Sequence, residues 1–66
     1  VEITVNGTAH PLPEPLTLAQ LLDQLGLADK RLAVEVNRDI VPRGEHATHA
    51  LRDGDRVEII HAIGGG

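Results

Sequence analysis

Sixty-six residues, ten of them acidic and six basic, give one small domain with a formal net charge of −4. That balance argues against nucleic acid or an anionic membrane as partner, and the absence of Phe, Trp and Tyr removes the stacking platforms that single-strand binders use. There is no Cys, which excludes disulfides and thiolate metal sites, so Leu, Ile, Val and Ala alone must build the core.

A chain of this length buries only about 60% of the surface its unfolded form exposes, so that core is thin. No apolar run approaches the ~20 residues of a membrane span and no signal peptide is visible, which gives the expectation of a soluble, cytoplasmic protein.

Val1, Ile3 and Val5 alternate with Glu2 and Thr4, the period of a strand with one buried face. Asn6-Gly7 follows, and both residues tolerate the positive φ of a type I′ hairpin turn. The return strand, Thr8 to Leu12, contains Pro11, which cannot donate to a ladder and so belongs at a sheet edge.

After Pro13-Glu14-Pro15 the signals turn helical. Thr17 and Gln20 have the spacing of a capping box, and Leu16 before the cap can pack on Leu21 as a hydrophobic staple. Leu18, Leu21, Leu22 and Leu25 make one apolar stripe, and Gly26 is the expected C′ residue.

Leu32, Val34 and Val36 alternate with Ala33, Glu35 and Asn37 as a third strand. Asn37-Arg38-Asp39 turns the chain, and Ile40-Val41 forms a short fourth strand stopped by Pro42. From Arg43 to Leu51 the sequence is polar and irregular, with room for one helical turn around Glu45 to His49. Asp53-Gly54-Asp55 is a turn, and Arg56 to Ile63 alternates as the last strand.

The order ββαββ with one amphipathic helix predicts a two-layer α+β domain, a mixed four- to five-stranded sheet packed on one helix. Placing the first and last strands centrally and Pro11 at the edge gives the β-grasp, or ubiquitin-like, roll. The domain is expected over residues 1–61, with residues 62–66 as a flexible reactive tail.

Catalytic and metal sites find little support. His46 and His49 have metal-like spacing, and His10 and His61 could join them, but on a polar loop without Cys they read as solvated histidines. The chain has no Ser, and its threonines lack a visible His and carboxylate pairing, so nucleophilic catalysis is not expected. Asp53 and Asp55 flank a single Gly54, too few oxygen ligands for a calcium loop.

The distinctive feature is Gly64-Gly65-Gly66 directly after a strand. Without Cβ atoms this backbone can enter a channel closed to other residues, and from Ala62 to Gly66 it reaches about 18 Å. A Gly66 α-carboxylate is a poor electrophile. Adenylation by ATP would give it a good leaving group; attack by a persulfide or sulfide sulfur would then give a thiocarboxylate, and attack by a thiol or amine a thioester or amide.

The chain resembles the thiamine-biosynthesis sulfur carriers, the ThiS family. The likeness rests on Val5-Asn6-Gly7, Thr17 to Leu25, Leu32-Ala33-Val34-Glu35-Val36-Asn37, Ile40-Val41-Pro42-Arg43, Asp53-Gly54-Asp55 and the glycine tail. It implies a ubiquitin-like protein that is a co-substrate and not an enzyme. Gly65 and Gly66 would be the reactive pair, while Gly64 stands where relatives need not have glycine. The implied partners are a ubiquitin-activating-type adenylyltransferase that uses ATP, a persulfide sulfur donor and thiazole synthase, with no cofactor bound by the chain itself. The alternatives are the small subunit of molybdopterin synthase, a ubiquitin-like modifier and a plain β-grasp interaction module.

Partner contacts are expected along Ile60, Ala62, Ile63, Gly64 and Gly65. Val57 and Ile59 point to one face of the last strand, which leaves Ile60 and Ala62 on the other, beside the tail. Arg43 follows a proline that fixes the backbone, so its guanidinium could be aimed at a partner carboxylate.

Overall fold

The computed structural model describes residues 1–61. Its first hairpin forms as the sequence dictates: β1 (Glu2–Val5) turns through Asn6 at φ 51° and Gly7 at φ 83° into β2 (Thr8–Pro11). Two successive left-handed residues match the twist of the flanking strands. A second turn of the same kind, Asn37 at φ 53° and Arg38 at φ 71°, joins β3 (Leu32–Val36) to β4 (Asp39–Ile40). Asp39 therefore already belongs to the strand, opposite Val36. Val41, expected inside it, lies just beyond, with its N–H on the Val34 carbonyl at 2.9 Å.

The helix α1 (Leu18–Gln24) has every expected device at its ends. The Thr17 N–H donates to Gln20 Oε1 at 2.9 Å, and the Gln20 N–H donates to Thr17 Oγ1 at 3.2 Å. At the other end Gly26 takes φ 72°, its N–H reaches the Asp23 carbonyl, and the Leu27 N–H reaches the Leu22 carbonyl at 2.8 Å. This Schellman pattern satisfies carbonyls that a helix end otherwise leaves without partners.

The five strands form one sheet in the order β2-β1-β5-β3-β4, where β5 is Arg56–His61. β1 and β5 are parallel and the other pairs antiparallel, so the sheet is mixed. Pro11 sits on the edge strand β2, where its missing N–H costs no ladder bond. β5 lies at the centre.

Helix and sheet meet in a single core. Leu18, Leu21 and Leu22 of α1 pack over Ile3, Val34, Val36, Val57 and Ile59 of the sheet, and Leu12, Leu16, Val41 and Leu51 close its margins. Leu16 and Leu21 both lie in it, as a hydrophobic staple requires, whereas Leu25 is only partly buried. Each fully buried side chain of this size contributes about 1.5–3 kcal/mol relative to exposure.

The segment expected to be irregular is strongly tied down. Its helical turn is a 3₁₀ turn at Arg43–Glu45, two residues earlier than the sequence suggests. It starts there because the Pro42 carbonyl accepts the Glu45 N–H at 2.8 Å directly after the proline stops β4. Further bonds from the Thr48 and His49 N–H groups to the Glu45 carbonyl continue the turn. Beyond it, the carbonyls of His46 and His49 accept the Ala19 and Leu18 N–H groups, both at 2.9 Å. The loop thus caps the helix N-terminus alongside Thr17.

Candidate functional site

β5 is the strand that leads in sequence to the glycines, and the structure holds it from both sides by asparagine side chains. On the β1 side, the Asn6 N–H donates to the Val57 carbonyl at 2.9 Å, and Asn6 Oδ1 accepts the Ile59 N–H at 2.8 Å. On the β3 side, the Asn37 N–H donates to the Arg56 carbonyl at 2.8 Å, and Asn37 Oδ1 accepts the Arg56 N–H at 3.0 Å. Asn37 Nδ2 then donates to Asp55 Oδ1 at 3.0 Å, while Asp55 Oδ2 accepts the Arg52 N–H at 2.8 Å. The sequence marked both asparagines only as turn formers. Their clamping role carries no sequence signal beyond Asn at a left-handed position, where the short amide can reach back to a neighbouring strand.

Along β5, Val57 and Ile59 face the core at 1% and 7% exposure, while Ile60 faces away from α1 at 51%. Opposite Ile60 stands Ala33, and opposite Glu58 stands Glu35, whose other neighbour is Ile40. The face of the sheet not covered by α1 thus carries Ile60, Ala33 and Ile40 around two opposed carboxylates. Ile40 is the most exposed large apolar residue among those described.

The expected site residues divide. Ile60 stands exposed on this open face, as the alternation of β5 requires. Arg43 is exposed on the 3₁₀ turn and borders a hollow with Ala19 and Leu22 of α1, on the other side of the sheet. A single flat partner surface cannot cover both. Ala62, Ile63, Gly64, Gly65 and Gly66 lie outside the described residues.

One expectation is overturned. His46 is not a solvated loop histidine: it is 9% exposed, and its Nε2–H donates to the Val41 carbonyl at 3.0 Å. The reason is the fold of the 42–51 segment, which turns His46 inward as its backbone caps α1. His10 and His49 are half-buried and His61 is exposed. Among the described residues no three His, Cys, Asp or Glu side chains are placed to hold a metal ion, and no helix is long and apolar enough to cross a membrane.

A concavity of about 500 Å³ lies at the start of β5, away from its exit, between Val36, Val41, Ala50, Arg52 and Asp55. Asn37 and Asp55 in its wall are already committed to holding β5.

Comparisons with known proteins agree with this fold. The model of the ThiS family matches residues 2–66. The sulfur carrier protein ThiS of Escherichia coli is 33% identical over the full length of both chains. A thiazole synthase of Paramagnetospirillum magneticum is 38% identical over all of this chain, which spans only 20% of that relative's length. The crystal structure of the thiamine biosynthesis protein ThiS from Geobacter metallireducens superposes with a TM-score of 0.86 at 32% identity, covering both chains entirely. With its β-grasp fold and a family match from residue 2 to residue 66, the chain belongs to the ThiS family.

Proposed function

We propose that this chain is a sulfur carrier of thiamine biosynthesis, with the Gly66 carboxylate as the atom group that is activated and loaded. The supporting observation is the family match, which runs through Gly66, joined to a body that anchors the strand before it from both sides. A rigid body presenting a slim glycine segment fits a co-substrate that must reach into other proteins' active sites.

In this reading a ubiquitin-activating-type adenylyltransferase uses ATP to form the Gly66 acyl adenylate and release pyrophosphate. A sulfide sulfur attacks the acyl carbon and expels AMP, leaving the thiocarboxylate. When the sulfur comes from a persulfide protein, a thiol must also cleave the resulting S–S bond. Thiazole synthase then takes the sulfur. The chain supplies the carboxylate and the docking surface, and the partner enzymes supply the catalysis. The open face with Ile60 is proposed as the surface that holds the body on the activating enzyme.

The test is selective alkylation. After incubation with the activating enzyme, ATP and a sulfur donor, a thiol-alkylating reagent should label the protein once, and only after that treatment, because no Cys competes. A label outside the peptide that contains Gly66 would remove the carrier reading. ATP-dependent amide formation with a lysine would replace it with a ubiquitin-like modifier.

A further inference from the structure

α1 and the 3₁₀ turn leave between them a hollow of about 180 Å³, lined by Ala19, Leu22, Ala28, Arg43, His46 and Ala47. It is well below the roughly 300–1,000 Å³ of small-molecule sites and has room for one side chain. Part of its wall is fixed by the fold. Leu22 belongs to the core, and the His46 ring is fixed by the 3.0 Å bond from Nε2 to the Val41 carbonyl. The loop carrying Arg43 and Ala47 is fastened to α1 through the Ala19 and Leu18 N–H groups.

The chemistry of the wall is asymmetric. Among the described residues, four of the six that line it are aliphatic, Arg43 carries the one formal charge, and no carboxylate is present, although the chain as a whole has a net charge of −4. We propose that this hollow docks a glutamate side chain of a partner protein, with its methylenes on Ala19, Leu22, Ala28 and Ala47 and its carboxylate on the Arg43 guanidinium. A planar guanidinium suits a carboxylate, and the aliphatic wall suits a methylene stem. An inorganic anion would find a single guanidinium and four aliphatic neighbours. Because the hollow and Ile60 lie on opposite sides of the sheet, a partner seated here leaves the open face free. The proposal is independent of any sulfur chemistry at Gly66.

The test uses ¹⁵N-labelled protein titrated with the capped peptide acetyl-Ala-Leu-Glu-Leu-Ala-amide, the same peptide with Gln replacing Glu, and sodium sulfate. The glutamate peptide should shift the amides of Ala19, Ala28, Arg43 and Ala47 saturably. The Gln peptide should bind about fivefold more weakly, as expected for one exposed charge pair. Arg43→Gln should lower the glutamate peptide to the Gln peptide's affinity while the rest of the spectrum is unchanged. Equal binding of the two peptides, no localised shifts, sulfate reproducing the same shifts, or an indifferent Arg43→Gln protein would each overturn the proposal.

Discussion

Asn6 and Ile59 lie on different strands, yet the Asn6 Oδ1 atom accepts the Ile59 N–H at 2.8 Å. β1 has already turned away at this point, so a side chain continues the ladder that the backbone has abandoned. The bond fixes β5 two residues before its described end, on the way to the glycines. A Gly at position 6 would keep the φ of 51° accessible and remove the acceptor, at a small added cost in backbone entropy. Asn6→Gly is therefore expected to cost about 1–2 kcal/mol, the lower part of the range for an unpartnered buried donor, because this bond is only partly buried. Chemical denaturation measures the loss, and hydrogen exchange at the Ile59 amide should accelerate in parallel. Unchanged protection at Ile59 would show that the bond carries no weight.

At the helix, Thr17 and the 42–51 loop divide the capping. Thr17→Ala removes the acceptor for the Gln20 N–H but leaves the Leu18 and Ala19 donors on the loop carbonyls. The expected cost is about 1 kcal/mol, with Thr17→Ser recovering most of it. A loss several times larger would mean that the loop depends on Thr17 for its own placement.

Much of the fold was legible because local and global signals coincide. Asn6-Gly7, the Thr17/Gln20 box, the leucine stripe and Gly26 each specify one geometry, and each is found. The alternation Val57, Glu58, Ile59, Ile60 also placed Ile60 on the open face. The 42–51 segment was not legible, because its order comes from long-range bonds to α1 and not from periodicity. For the same reason His46, set between Glu45 and Ala47 in a polar run, gave no sign of burial. Nor could the sequence show that Arg43 and Ile60 lie on opposite sides of the sheet, a matter of which way the chain leaves β4.

Glu35 and Glu58 stand directly opposite each other on the open face. Like charges in that position destabilise a sheet, here by about 0.5 kcal/mol with Glu58 exposed and Glu35 half-buried. Glu58→Gln should raise stability by about that amount at low salt, and the gain should shrink as ionic strength rises. No gain at low salt would mean that the two carboxylates splay apart.

Ile60→Asp probes the open face. The side chain is half exposed and outside the core, so the variant should fold normally. On the proposed function it should weaken association with the activating enzyme by more than about 1 kcal/mol, as for a contact near the centre of an interface. Calorimetry on the folded variant decides, and an unchanged affinity would move the docking surface elsewhere.

Sulfur loading of Gly66 can be read directly by intact mass spectrometry. In most proteins a gain equal to sulfur minus oxygen is confounded with oxidation of Met or Cys, since one added oxygen weighs nearly the same, but this chain has neither. With the activating enzyme, ATP and a sulfur donor, that gain is expected, confined to the peptide containing Gly66 and absent when Gly66 is deleted or Gly65 is replaced by Val. No gain under conditions where a known ThiS carrier is converted, or a gain that survives deletion of Gly66, would rule out sulfur loading at Gly66.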